Sequence, residues 1–278
     1  MALRINRKKE ALKHAIIWFV LFFSFFPMYV MVVISFKDND QFTNNPWTFD
    51  PIRDWHLENW SKGWETIQAY VANSVVTSVS AVALCLIMAT LTSYALARYK
   101  LPGGKVLYYG LICLMFLPSS AATLVTLFTL LKKLHLINSL WALIITGSIG
   151  GQVFCVFILR QFIQEIPQEL FESAQLDGAS HVQQIFHIVL PMSGSILATL
   201  AILQFIANWN NLMLPLVIMR DDQMLTIPVG LMRLEGEYVK QWGQMMAGYT
   251  ISSIPLILLF IFTMRLFVKG LSAGAIKG

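Results

Sequence analysis

Side chains able to carry chemistry are few and scattered along this sequence. Its five histidines, His14, His56, His135, His181 and His187, are dispersed. The nearest pair, His181 and His187, is spaced to fall on different faces of a helix, so no metal cluster is read from them. Cys85, Cys113 and Cys155 sit inside apolar runs without C-x-x-C or zinc-type spacing. They read as reduced thiols packed as small hydrophobes. Neither a P-loop nor a G-x-S-x-G elbow occurs, which removes ATP hydrolysis and acyl transfer by those routes. A non-catalytic chain is expected, with no cofactor of its own.

One stretch carries more information, from Ile166 through Pro167, Glu169, Leu170, Phe171, Glu172, Ser173, Ala174, Asp177 and Gly178 to Ala179. Pro167 suits the first helical position, where its missing N–H is not needed. Glu169 places a negative charge near the positive helix end. Gly178 suits a left-handed stop, and Ser180 with Gln183 has capping-box spacing that restarts a helix after a sharp turn. At 100° per residue Leu170, Phe171 and Ala174 share one face, while Gln168, Glu169 and Glu172 share the other. At 1.5 Å per residue the rod is roughly 16 Å long, too short and too polar to cross a bilayer. It is expected to lie along the membrane surface, either as a mechanical lever or as an ordinary interfacial helix.

The elements around it read as membrane spans. Apolar residues make up 56% of the 278 and charged residues 13%, against about a quarter charged in soluble domains. The net charge of +5 is spread between apolar runs, without a basic stripe and interleaved aromatics, so it reads as a topology signal rather than a nucleic-acid footprint. Uncharged runs extend from His14 to Phe36, Thr66 to Ala97, Val106 to Leu131, Leu134 to Leu159, Gly178 to Met219, and Gln241 to Met264. A helix needs about 20 residues to cross the hydrocarbon. Six spans follow, near 14–36, 71–97, 106–131, 137–159, 191–209 and 243–265, in a single domain with the short surface helix and its restart at 166–188. The first run follows Arg4, Arg7, Lys8, Lys9 and Lys13 as a signal peptide would, but it is too long for a signal core and is expected to be retained. The fold class expected is all-α and polytopic.

Lys and Arg favour placing both termini inside, although Lys132 and Lys133 fall on the outer side. The outer segment 37–65 holds Trp47, Trp55, Trp60 and Trp64, readable as an interfacial aromatic belt or as a docking surface. A second polar segment, 220–240, reads as a loop folding back toward the membrane. Pro27, Pro118, Pro215 and Pro255 interrupt apolar runs and each marks a candidate kink. No Asp, Glu, Lys or Arg lies deep in a span, which argues against a proton-coupled carrier.

Glu172-Ser173-Ala174, three residues, Gly178, nine residues, then Ile188-x-Leu190-Pro191 resembles the EAA loop of binding-protein-dependent ABC importer permeases, with Ser173 in place of the first Ala. Asn73-Ser74, the run Tyr94 to Tyr99, Trp209-Asn210 and the tail Val268 to Gly278 are similar to the carbohydrate permeases, in particular to the second membrane subunits of maltose-type importers. The resemblance implies the type I ABC importer permease fold in the inner (plasma) membrane. It implies a cytoplasmic coupling helix seated on an ATPase through Glu172, Ser173, Ala174, Asp177, Gly178, Ala179, Leu190 and Pro191. The tail is implied to reach the ATPase interface, or else to fray. The implied partners are two ATP-binding subunits that hold ATP and Mg, a second homologous permease, an extracytoplasmic solute-binding protein and membrane lipid, with no nucleic acid. Ser78, Thr90, Ser93, Gln152 and Gln204 could then meet sugar hydroxyls or serve as contacts between helices. The solute implied is a sugar or oligosaccharide, with a glycerol-phosphate or a polyamine as the alternative within the class. A self-contained secondary carrier is disfavoured by the lack of internal repeats and intramembrane charge.

Overall fold

The computed structural model describes residues 7–99, 102–116, 121–235 and 241–275. Helices account for nearly all of it, and no strand occurs among the described residues. In chain order α1 is Arg7–Ile34, α2 Asn39–Asn44 and α3 Glu58–Arg98. There follow α4 Gly104–Leu114, α5 Ala121–Lys133, α6 Leu140–Gly150, α7 Gln152–Glu165 and α8 Gln168–Leu176. The remainder are α9 His181–Gln184, α10 Leu190–Met192, α11 Gly194–Trp209, α12 Met213–Ile218, α13 Ile227–Glu235 and α14 Trp242–Ala275. They group into two compact units, Met1–Gln68 with Leu231–Ile254, and Ala69–Gly230 with Pro255–Gly278.

Four stretches among the described residues are long and apolar enough to cross a bilayer: Leu12–Ile34, Glu58–Arg98, Gly194–Ile218 and Trp242–Met264. A fifth crossing results if α6 and α7, bent by 43° to one another, act as one broken span. The third expected span, 106–131, corresponds to α4 and α5, and residues 117–120 between them lie outside the described set. Helix α3 differs from the expected 71–97 by beginning at Glu58. Its 41 residues make a rod of about 60 Å, twice the thickness of the hydrocarbon, so one end must stand clear of the bilayer.

In the first unit the four tryptophans divide. Trp55 and Trp60 pack on Phe36 with ring centroids 4.6 and 5.4 Å away. Trp47 and Trp64 stay largely exposed, Trp47 stacking on Phe26 of α1. Lys37 is buried and paired with Asp50, which keeps the charge from being stranded. Asn59 Nδ2 donates to the carbonyls of Ser35 and Lys37 at 3.1 and 2.9 Å, fastening the end of α1 to the start of α3.

In the second unit α3, α4, α7 and α11 share a core of Cys85, Ala89, Tyr108, Cys155, Leu159 and Leu200. Between α6 and α7 the chain bends at glycine, not proline. A Cβ on Gly151 would overlap the Gln204 side chain of α11, and a bend with an inserted side chain is a recognised way to break a helix. Pro27 and Pro255, read as candidate kinks, lie within the continuous helices α1 and α14, and Pro215 falls in the first turn of α12, where no N–H is required. Pro118 lies outside the described residues. The intramembrane polar residues face protein: Ser93 Oγ donates to Val156 O at 3.2 Å, and Ser78, Thr90 and Gln204 are buried.

The segment after Met219, expected as a polar loop folding back, begins exposed at Arg220–Gln223 and then buries Leu225–Ile227 and Val229–Leu231. Ile218, Met219, Leu225 and Val229 are buried against Leu131 and Leu143. The Asn73-Ser74 pair explains how it is held. Asn73 Nδ2 donates to the carbonyls of Gln223 and Leu225 at 2.8 and 3.0 Å, and Ser74 Oγ accepts from the Ile227 N–H at 2.9 Å, capping α13. From the other side Asn138 Oδ1 accepts the N–H groups of Arg220 and Asp221 at 3.0 and 3.1 Å. Side-chain hydrogen bonds thus satisfy an irregular stretch of backbone that no helix ladder serves.

Candidate functional site: the elbow after α7

Helix α7 ends at Glu165, and its cap residue Ile166 has an extended backbone that turns the chain into Pro167. Pro167 occupies the cap position of α8, one residue before the first helical position expected for it. Its φ of -51° still preorganises the entry. Helix α8 then presents one anchor. Phe171 is buried, together with Tyr94, Ile163, Ile166, Ile185 and Val189. Leu170, expected on that face, is 43% exposed, and Ala174 is half-buried. Leu176 at the end of α8 is 90% exposed.

The stop after α8 is a Schellman motif. Ala179 N–H donates to Ala174 O at 2.8 Å and Gly178 N–H to Gln175 O at 3.0 Å, with Gly178 at φ +78°. Ser180 and Gln183 then close the expected capping box, the Gln183 N–H reaching Ser180 Oγ at 3.3 Å and the Ser180 N–H reaching Gln183 Oε1 at 2.7 Å. The inside of the turn holds a cavity of about 230 Å³ lined by Ala174, Asp177, Gly178 and His187 among others.

Of the residues singled out in the sequence, Glu172, Ser173, Asp177 and Gly178 are exposed on this elbow, and Ala174 and Ala179 are half-buried in it. Leu190 and Pro191 lie farther along. Between them and α9 runs a single π turn, Ile185–Val189, in which the Leu190 N–H reaches back five residues to Ile185 O. Leu190 packs on the cluster beneath α8, whereas Pro191 is exposed. The tail side chains from 265 onward, also singled out, lie outside the described set.

Sequence reasoning left the elbow's fastening unassigned. Arg98, the last residue of α3, donates through Nη2 to the carbonyls of Ile163 and Ile166, both at 2.7 Å, and through Nη1 to Gln168 Oε1 at 2.9 Å. Its guanidinium lies 3.8 Å over the Phe171 ring. One cation therefore binds two carbonyls at the end of α7, holds the first residue of α8 and stacks on its anchor. Beside it the Tyr94 hydroxyl donates to Gln184 Oε1 at 2.8 Å and lies 3.2 Å from His181 Nδ1. The sequence signal was present, a lone arginine closing an apolar span between two tyrosines, but its partners are some 65 to 70 positions away. Among the described residues no group of three or more His, Cys, Asp or Glu could hold a metal ion.

Several helices long and apolar enough to cross a bilayer, with a short exposed helix that carries its own stop, are the features of a multi-pass membrane protein. Residues 87–273 match the family described as the binding-protein-dependent transport system inner membrane component, and the chain belongs to that family. It is 32% identical to the probable ABC transporter permease protein YurM of Bacillus subtilis, covering 98% of this chain and 91% of that one. It is 33% identical to the arabinooligosaccharides transport system permease protein AraQ of Halalkalibacterium halodurans, over 94% of each chain. In fold it is similar to a chain in the crystal structure of a bacterial ABC transporter involved in the import of the acidic polysaccharide alginate. The TM-score there is 0.84 at 17% identity, with 96% of this chain and 99% of that chain covered. The protein is thus a multi-pass membrane permease with the type I ABC importer fold.

Proposed function

We propose that this chain is one of two homologous permease subunits in an ATP-driven importer of sugars or oligosaccharides. Both termini lie in the cytoplasm, and the elbow from Glu172 to Ala179 seats on one of two ATP-binding subunits. ATP and Mg belong to those subunits, and an extracytoplasmic binding protein delivers the solute. The observation that carries the reading is the elbow itself: a rigid, separately capped helix that leaves Leu176 and the acidic pair Glu172 and Asp177 on its surface. A leucine that exposed has about 2 kcal/mol to gain from burial in a partner's groove. Because Arg98 ties α8 to the ends of α3 and α7, closure of the ATPase pair would pull on the spans directly. The sugar assignment rests on the relatives' names, among them the arabinooligosaccharide permease and a trehalose/maltose transport system permease protein of Thermococcus litoralis.

The test is recovery of the tagged chain from mild detergent with mass spectrometry of its companions. Co-recovery of an ATPase, a second permease and a sugar-loaded binding protein supports the reading. A monodisperse chain on its own that moves solute in liposomes without ATP overturns it. Gly178→Asp should abolish transport, since a Cβ at that φ costs about 1 kcal/mol or more in an elbow that must keep its angle.

A further inference from the structure

A second cavity, of about 470 Å³, opens between the last turn of α3, the start of α4 and the end of α7. It is lined by Tyr99, Gly103, Lys105, Arg160 and Gln164 among others, and no acidic side chain among the described residues lines it. Arg160 is held rather than free. Its guanidinium lies 3.9 Å over the ring of the buried Tyr108, and its Nε donates to Leu96 O at 3.4 Å. That fixes the plane of the fork while its two terminal nitrogens meet no acceptor among the described residues. The ammonium of Lys105 is likewise unpaired among them. Two cations thus share one cavity without a counter-charge, which favours an anion with several acceptor oxygens.

What distinguishes this site from one for a soluble anion is the surface continuing from it. Immediately beyond Lys105, Val106, Leu107 and Tyr109 of α4 are 78%, 55% and 63% exposed. A basic cavity at the foot of a bare apolar helix matches a molecule with an anionic head and apolar tails. We propose that this cavity seats the phosphate-bearing headgroup of an anionic phospholipid, with its acyl chains laid along α4. The site sits at the end of the second unit that the proposed topology makes cytoplasmic, the leaflet in which anionic lipids and basic residues meet. It therefore rests on that orientation, and on nothing about the solute.

The experiment uses the complete importer containing this chain, in mild detergent, titrated with dioleoylphosphatidylglycerol or dioleoylphosphatidylcholine and followed by native mass spectrometry. Phosphatidylglycerol should bind in preference to phosphatidylcholine. Lys105→Gln, a change at an exposed side chain, should weaken it about fivefold, and Lys105→Gln with Arg160→Gln about thirtyfold. Arg160→Lys should recover part of the loss, and Arg53→Gln, in the outer segment, should change nothing. Equal binding of the two lipids, or undiminished phosphatidylglycerol binding by the double variant, overturns the proposal. Displacement of the lipid by millimolar inorganic phosphate would assign the cavity to a soluble phosphate compound instead, and would also overturn it. Co-purification of the ATPase is scored in every sample. Its loss from the unmodified chain would count against the coupling role alone, since lipid binding is still read on the permease.

Discussion

Arg98 is where a single side chain has the largest expected effect. It satisfies two backbone carbonyls and one side-chain carbonyl while lying over Phe171, and no smaller residue reproduces that set. Charge-assisted bonds of this kind contribute about 1.5–3 kcal/mol each and do not add simply. Half-exposure lowers the figure, so Arg98→Ala is expected to loosen the elbow by about 3 kcal/mol in all. Solute transported per ATP hydrolysed should fall several-fold in the reconstituted importer while basal hydrolysis persists. Arg98→Lys keeps the charge but not the planar fork, and should recover only part of the coupling. An unchanged ratio in Arg98→Ala would remove Arg98 from the coupling path. Its position in the sequence, last in an apolar span, marked it as a topology signal, and nothing nearby disclosed that it reaches α7 and α8.

Among elements, the π turn at Ile185–Val189 connects the elbow to the next span. Pro191 lacks the N–H that would return to His187 O, and its ring crowds that carbonyl. The ladder accommodates this by widening to the Leu190-to-Ile185 bond. The extra residue sets the rotation of α9 relative to α11, by about 100° for each residue gained or lost. Pro191→Ala is expected to let the stretch relax to a regular α-helix and rotate the elbow away from its seat. Transport should drop at least tenfold, and the ATPase should bind more weakly in pull-downs. Wild-type transport with a regular helix, read from scanning cysteine accessibility over 181–193, would rule out this role. The spacing of Leu190-Pro191 from Gly178 was legible in the sequence, but its consequence was not, because a π turn depends on which carbonyls have room to move. The same holds for the bend between α6 and α7, where Gln204 from a distant helix occupies the space a Cβ on Gly151 would need.

For the whole molecule the prediction concerns sidedness. Arg53 is 84% exposed in the segment between α2 and α3, and Pro102 is exposed just ahead of α4. In a Cys113→Ser background, Cys85 and Cys155 are fully buried and should stay silent. Arg53→Cys should then react with a membrane-impermeant maleimide in intact cells, and Pro102→Cys only after the membrane is opened. The reverse pattern would invert the proposed topology. The sequence alone determined that the chain is helical, membrane-embedded and built around a capped elbow, since apolar length, charge placement and capping residues are local properties. It could not determine that α3 starts at Glu58, that the chain from Leu225 to Leu231 is mostly buried, or that Asn73-Ser74 fasten that stretch and Arg98 the elbow. Those outcomes rest on partners up to 153 positions apart, as with Ser74 and Ile227, which only the folded chain brings within hydrogen-bonding distance.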